Sequence, residues 1–172
     1  MDRFKTVGEE IIYAQGLVVS INNGDLAMLK HIAEANPRKR VRICAHPDID
    51  DTLHEMFIVH KQGNYVPPHR HKGKSESFHI VEGTAEIILF NESGMPSRKL
   101  IMDNKICDGF IYYRLAPDVF HTVIPVSDYV IFHEVTNGPF RREETEFASW
   151  APSEDEPHKH AAYLARIRRE VQ

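Results

Sequence analysis

The chain has little of several residue types, and each shortage excludes a class of protein. Its 2 cysteines, Cys44 and Cys107, are too far apart for a zinc-knuckle and too few for a disulfide framework. No apolar run approaches the roughly 18 residues that a membrane-spanning helix needs. The start, Met1–Lys5, lacks the apolar core of a signal peptide. We therefore expect a cytoplasmic protein without membrane insertion.

The sequence also has no excess of positive charge. Its 21 basic and 25 acidic residues leave a formal net charge of −4, which argues against a surface dedicated to nucleic acid or anionic lipid. The 172 residues, 42% of them hydrophobic, are enough for one compact domain with additions. We expect no nucleic-acid partner and a small-molecule ligand.

Histidine, in contrast, is abundant. The chain has 11 histidines, more than its 9 phenylalanines. Histidine is the commonest metal ligand in proteins and the usual acid–base group near neutral pH. The question is which of these histidines form a site.

The order of apolar runs predicts an all-β protein. Residues 7–21 suggest one or two strands, and residues 38–46 a strand with one solvated face. Between residues 54 and 136, short apolar runs alternate with turns rich in Gly, Asn, Asp and Ser, without intervening helices. This spacing is typical of an antiparallel barrel or sandwich.

A helix is predicted at each end of the chain. Over residues 25–35 the apolar residues share one helical face, Asp25 is placed to cap the start, and Asn36–Pro37 ends the helix. Near the C-terminus, Ser153 and Glu156 have capping-box spacing. The apolar residues of the helix that follows recur at helical spacing, which predicts packing on the barrel or on a second subunit.

One segment contains a metal-ligand pattern. On a strand, residues two apart project to the same side, so that His69 and His71 can face one centre. Glu76 begins the next run, and His121 lies among large apolar residues on a later strand. Imidazoles and a carboxylate from neighbouring strands form a ligand set that leaves positions for water or substrate. The alternative is four separate polar residues at a barrel mouth.

This segment resembles the first motif of the cupin superfamily, G-x5-H-x-H-x3-4-E-x6-G. Its fixed positions are filled by Gly63, His69, His71, Glu76 and Gly83. The second motif, G-x5-P-x-G-x2-H-x3-N, is matched in part: His121 is present, and residues 116–118 replace the Pro-x-Gly turn. The resemblance implies a double-stranded β-helix (jelly-roll) barrel over residues 47–140. Residues 1–46 and 141–172 are then extensions, each with a helix.

Within the superfamily, residues 22–152 look like the WbuC-type cupin fold metalloproteins. The similarity includes the run from Tyr65 to Phe78, Phe120–Val123 and Gly138–Phe140. Members are found near bacterial surface-polysaccharide gene sets, and their reaction is not established. The resemblance implies one divalent transition metal ion per chain, Fe, Mn, Ni, Zn or Cu, and a homodimer.

Other residues are candidates for the chemistry around the metal. Lys74, a candidate catalytic residue, and Arg70, a candidate substrate-binding residue, flank the ligands and could hold an anionic substrate group. Arg70 alternates with the two histidines, however, and would then face away. Glu134, if it faces inward instead of His133, is a candidate general base or orienting group. Tyr65 could line the pocket. His46, with Arg40 and Arg42, could form a cationic wall, although a solvated strand face is the simpler interpretation.

These patterns favour a metal-dependent enzyme that acts on a small polar or anionic metabolite, such as a sugar-linked intermediate of surface-polysaccharide assembly. Two alternatives stay open. One is a metal-free sugar-nucleotide isomerase or epimerase that uses barrel histidines as proton shuttles. The other is a non-catalytic module whose metal stabilises the fold or a ligand site.

Overall fold

The computed structural model describes residues 3–171, which form two β-sheets covered by two α-helices. The strands are β1 (Phe4–Val7), β2 (Ile11–Ala14), β3 (Arg40–Cys44), β4 (Leu53–Lys61), β5 (His69–His71), β6 (Glu76–Glu82), β7 (Thr84–Phe90), β8 (Pro96–Asp103), β9 (Tyr112–Leu115), β10 (His121–Pro125), β11 (Tyr129–Asn137) and β12 (Thr145–Phe147). The helices are α1 (Asn23–Ala35) and α2 (Pro157–Glu170), and a 3-10 turn spans Arg142–Glu144. The prediction of a mainly β protein with a few helices is therefore confirmed.

The two sheets face each other across the main core. One sheet has seven strands in the order β1-β2-β3-β4-β11-β6-β9, and the other has five in the order β12-β5-β10-β7-β8. Strand alternation places apolar side chains of both sheets in the space between them, for example Phe78 and Phe132 from one and Ile87 and Met102 from the other. Their burial supplies the main apolar contribution to folding.

Helix α1 covers the outer face of the seven-stranded sheet. Its Leu29 and Ala33 are fully buried against Val41 and Val59. The helix ends before Asn36, as predicted, but its N-cap is Asn22 and not Asp25. Asp25 is the reciprocal member of the capping box: its carboxylate accepts the backbone N–H of Asn22 at 2.8 Å. The predicted helix starts two residues late, because Asn23 and Gly24 carry no apolar side chain and lie outside the periodic pattern.

Helix α2 covers the outer face of the five-stranded sheet. Tyr163 and Ile167 pack with Ile88 and Phe120, which confirms the prediction of a C-terminal helix packed on the barrel. The predicted capping box is wrong. The helix begins at Pro157 after Glu156, and the Glu156 carboxylate accepts the Ser153 backbone N–H at 3.2 Å within the turn before the helix.

The terminal segments are bonded to the same two sheets. Strand β3 pairs with β4 over five residues, and β12 pairs with β5, so that Thr145 lies opposite His71. The division into extensions at 1–46 and 141–172 stays a prediction. The apolar residues Leu17 and Val18, predicted as strand, are exposed outside any strand. No helix within residues 3–171 is long and apolar enough to cross a membrane.

Candidate metal centre and cavity

A cavity of about 550 Å³ lies between the two sheets. Its inner wall includes the predicted metal ligands, and its outer part is lined by exposed side chains, among them Ile49 and Phe140. The cavity therefore connects the histidine cluster to the surface, and its size falls in the range of small-molecule sites.

Three histidines converge on the inner wall. His69 and His71 alternate with Arg70 on β5 and point to the cavity side, and His121 on β10 lies directly opposite His69 in the strand register. One nitrogen of each imidazole lies within 4.8 Å of the others. The structure thus brings together the three histidines that the motif spacing predicted.

Local hydrogen bonds orient these rings. Nδ1 of His69 bonds the Pro67 carbonyl oxygen at 2.9 Å, and Nδ1 of His121 bonds the Val119 carbonyl oxygen at 3.0 Å. A carbonyl oxygen only accepts, so each of these Nδ1 atoms carries a proton, and a metal ion would bind at Nε2. The Thr145 hydroxyl lies 3.3 Å from Nδ1 of His71. The three Nε2 atoms are left to face the centre, the arrangement typical of metal-binding histidines.

Glu76 completes the cluster. Its buried carboxylate lies 3.0 Å from Nε2 of His121 and 3.3 Å from Nε2 of His71. The hydroxyl of Tyr113, on the neighbouring strand β9, donates to the same carboxylate at 3.2 Å. Strand β6 brings Glu76 to this position because Phe78 and Ile80, on the same face, anchor the strand in the core.

Burial and charge act against each other on these groups. Burial raises the pKa of Glu76, but the charges and hydrogen bonds of His121 and His71 outweigh it and hold the pKa well below its ordinary value. Burial lowers the pKa of His121, yet the Glu76 carboxylate raises it overall. For His69, burial and the two neighbouring imidazoles lower the pKa to about 3, so this ring is neutral.

Glu134 faces inward, while its neighbour His133 lies near Glu55 on the other side of the sheet. Burial and the Glu76 charge raise the pKa of Glu134 to about 7. Within the part of the chain that the structure describes, no hydrogen bond reaches the Glu134 carboxylate. It therefore orients no histidine and is left available to a ligand.

The donor set fits a divalent transition metal. Three imidazole nitrogens, each free of its Nε2 proton once a metal is bound, and one carboxylate suit Fe, Mn, Ni, Zn or Cu, and a set that faces a cavity leaves coordination positions open. His69, His71, His121 and Glu76 would hold the ion, and the Nδ1 hydrogen bonds to carbonyl oxygens are the support that such ligands commonly have.

Two predicted substrate-binding residues lie outside the cavity. The Arg70 guanidinium pairs with Glu146 and Glu92, each at 3.1 Å, and stacks on Phe120, because it alternates with the ligand histidines. Tyr65 is core: its hydroxyl donates to the Pro152 carbonyl oxygen at 2.7 Å, and its ring stacks on His160. Both assignments to the substrate site are therefore corrected.

Lys74 and His46 do line the cavity. The Lys74 ammonium pairs with Glu144 at 2.5 Å and also donates to the Pro139 carbonyl oxygen, so its charge is already neutralised. His46 stacks on His54 with ring centroids 4.0 Å apart. Burial lowers the pKa of His46. Both residues are placed to contact a ligand.

Strands β3 and β4 form a second wall of the cavity, which the sequence patterns did not predict. The side chains of Arg40, Arg42 and Cys44 on β3 line the cavity, although a solvated face was the simpler prediction. On β4, His54 and His60 line it as well. The available signal was the alternation of β4, where residues 54, 56, 58 and 60 share one face. This alternation shows which residues of β4 share a face, but it does not predict which strands lie beside the site.

The turn before His121 contains a residue with a left-handed backbone conformation. Asp118, in place of the usual glycine, adopts a left-handed φ of 66°. Its backbone N–H donates to the carbonyl oxygen of His71 at 3.1 Å, which ties the turn to the metal-ligand strand. Aspartate is among the few non-glycine residues that tolerate this conformation.

Comparison with family models gives one partial match. Residues 21–102, just under half of the chain, match the model described as a domain of unknown function, DUF6016. No curated protein matches the chain.

Solved structures give the fold. The chain is similar to protein SO0799 from Shewanella oneidensis, with a TM-score of 0.52, 9% identity, and 72% and 77% of the two chains covered. It is similar to the capsular polysaccharide assembling protein CapF from Staphylococcus aureus, with a TM-score of 0.51 and 16% identity. The alignment covers 63% of this chain and 31% of CapF. An oxalate oxidase in complex with the substrate analogue glycolate has a TM-score of 0.50 and 10% identity over 66% of this chain and 57% of its own.

These neighbours are cupin-fold proteins, and identities this low establish the fold alone. The chain is a cupin-like β-sandwich. It spans about three quarters of the Shewanella protein and under a third of CapF. The chain therefore shares the cupin fold of these neighbours, and its three-histidine cluster could hold a metal ion.

Proposed function

We propose that the protein is a metal-dependent enzyme that acts on a small polar or anionic metabolite. The observation that carries this proposal is the position of the histidine cluster on the wall of a cavity of about 550 Å³ that reaches the surface. A metal that only stabilised the fold would be expected in a closed site with all coordination positions filled by protein.

Six residues that line the cavity have defined roles in this proposal. His69, His71, His121 and Glu76 hold the ion, and a bound divalent transition metal supplies Lewis-acid or oxygen-binding chemistry. Glu134 is the candidate general base, because its carboxylate lines the cavity and lacks a hydrogen-bond donor within residues 3–171. Lys74 could reach a substrate only by exchanging its pairing with Glu144.

The finer hypothesis concerns the pathway. The WbuC-type resemblance of residues 22–152 supports a sugar-linked metabolite of bacterial surface-polysaccharide biosynthesis. Among the structural neighbours, CapF is named as a capsular polysaccharide assembling protein. Since that likeness concerns the fold, the sequence resemblance is the stronger support for this part of the proposal.

Elemental analysis tests the metal. We expect protein purified without added metal to contain a transition metal near one ion per chain, and His71→Ala and His121→Ala to lose it. His79→Ala is the matched control, because His79 is exposed on β6 and outside the cluster. A metal-free wild-type chain that also fails to take up added metal would contradict the proposal and favour the metal-free isomerase.

Two further measurements separate an enzyme from a stabilised module. With Mn(II) bound, an open site would raise water-proton relaxation, whereas a site closed to water would not. A metabolite screen read by mass spectrometry should show turnover in the wild type, and none in Glu134→Gln at unchanged metal content. A closed site, or turnover unaffected by Glu134→Gln, would remove the corresponding part of the proposal.

A further inference from the structure

The cations on the cavity wall are almost all neutralised by carboxylates. Arg38 pairs with Glu10 and Glu154, at 3.3 Å and 2.5 Å. Arg40 pairs with the same two acids, at 3.0 Å and 3.1 Å. These four side chains form one network at the edge of the cavity, so none of these charges is free for a ligand.

Arg42 differs from its neighbours. It lies two residues after Arg40 on the same face of β3 and lines the cavity. Within residues 3–171, its guanidinium forms no salt bridge and its Nε is buried without a hydrogen-bond partner, while the Cys44 thiol, two residues along β3, lies within hydrogen-bonding reach of the guanidinium. A guanidinium has five donors, and leaving a buried donor unsatisfied costs free energy. The remaining unpaired cation of the described cavity wall, Arg142, is exposed at the rim, where it stacks on Phe147.

A second unsatisfied group lies next to Arg42. Arg42 is opposite Ile58 in the β3–β4 register, and His60 follows two positions later on the same face of β4. Such diagonal neighbours lie about 7–8 Å apart at the backbone, within reach of an arginine side chain. His60 is 7% exposed and lines the cavity, and its buried Nδ1 has no partner among the described residues.

We propose that Arg42 and His60 form an anion subsite that binds a terminal carboxylate or phosphate of the ligand. Arg42 would supply a two-pronged, charge-assisted contact, and His60 a third donor from the neighbouring strand. The subsite and the metal centre open into the same cavity. The proposal deepens the proposed function, on which it rests, by giving the substrate class: a small molecule that carries a carboxylate or phosphate group.

Calorimetric titration of the purified protein with inorganic phosphate, and separately with succinate, tests the subsite. We expect at least one of these anions to bind, and the stronger binder identifies the group as phosphate or carboxylate. Arg42→Gln should weaken binding about 10- to 100-fold, the loss typical of a charge-assisted contact. Arg42→Lys, which keeps the charge, should lose less, and His60→Leu should lose about three- to tenfold.

The matched control is Arg142→Gln, which removes the same charge from the rim of the same cavity. If Arg142→Gln and Arg42→Gln weaken anion binding equally, the effect comes from the overall positive charge of the cavity and not from a specific contact, and the subsite is overturned. Absence of binding by both anions would also overturn it. The folded state and metal content of each variant are checked by circular dichroism and elemental analysis.

The metal-deficient His71→Ala variant separates this inference from the proposed function. Arg42-dependent anion binding that survives in His71→Ala supports the subsite. Loss of all anion binding there would assign the anion to the metal and overturn it. If the wild type neither contains nor takes up metal but still binds anion through Arg42, the metal-dependent function fails and the subsite stands.

Discussion

The buried ring of His60 makes a prediction about acid stability. His60 lines the cavity on β4 with its ring edge-on to Phe132, and the ring centroids are 5.2 Å apart. Burial, with a smaller contribution from the charge of Arg42, lowers the pKa of His60 from 6.5 to about 3. The folded protein therefore holds this imidazole neutral at pH values where the unfolded chain protonates it.

The sign and size follow from proton linkage. Below pH 6.5 the unfolded chain binds a proton at His60, whereas the folded protein binds it only when the pH approaches about 3. The free energy of unfolding therefore decreases as the pH is lowered through this interval. From about pH 7.5 to about pH 4, the lowered pKa of His60 reduces the free energy of unfolding by about 3 kcal/mol, at about 1.4 kcal/mol per pKa unit. That is a large part of the 5–15 kcal/mol, roughly, that stabilises an ordinary domain.

Urea denaturation of the wild type and His60→Leu measures this difference. The single tryptophan, Trp150, reports unfolding because it packs against Phe90 at a ring distance of 4.9 Å. A chelator is added so that metal release does not contribute. We expect the free energy of unfolding of the wild type to fall by about 3 kcal/mol more than that of His60→Leu when the pH is lowered from about 7.5 to about 4. His79→Leu, at an exposed position, should follow the wild type. Parallel pH curves for wild type and His60→Leu would refute the reasoning.

Three other predictions concern the backbone and the assembly. Gly83→Ala should destabilise the fold by several kcal/mol in thermal or urea unfolding, because φ is +83° and a Cβ would lie 2.1 Å from the Tyr129 carbonyl oxygen; a loss below about 1 kcal/mol would contradict this clash. Asp118→Gly should leave stability unchanged or raise it by up to about 1 kcal/mol, whereas Asp118→Val should lower it by at least about that much, since φ is 66°; equal stability of the two variants would show that the turn adopts another conformation. The homodimer implied by the cupin resemblance should give about twice the mass of one chain in light scattering, and a monomer at working concentration would rule it out.

The histidine cluster could be predicted from sequence because its information is local. His69 and His71 alternate on one strand, and the rings of His69 and His121 are oriented by carbonyl oxygens only two residues earlier in the chain. Glu76 follows within the same motif. A strand period and a short spacing were enough to bring these groups together, although the pairing of β5 with β10 was not itself predicted.

The opposite wall could not be predicted in this way. Arg42 and His60 become neighbours only through the register of β3 against β4, which depends on long-range packing. The pairing of Arg70 with Glu146, which removed it from the substrate site, depends on β12, a three-residue strand too short for a periodic signal. Helix α1 was predicted to within a turn, but its cap was placed three residues late.

The arrangement of the two sheets has a consequence for which molecules fit. The ligand histidines belong to the five-stranded sheet, while Arg42 and His60 belong to the seven-stranded one. Glu76 also belongs to the seven-stranded sheet and lies 3.0 Å and 3.3 Å from His121 and His71, so the metal centre itself joins the two sheets. Phe132, on the same sheet as Arg42 and His60, belongs to the core and also lines the cavity, with its ring edge-on to His60. The hydrophobic core thus supplies part of the cavity wall, and a smaller side chain at Phe132 would enlarge the cavity beside His60 without removing any polar group that binds the ligand.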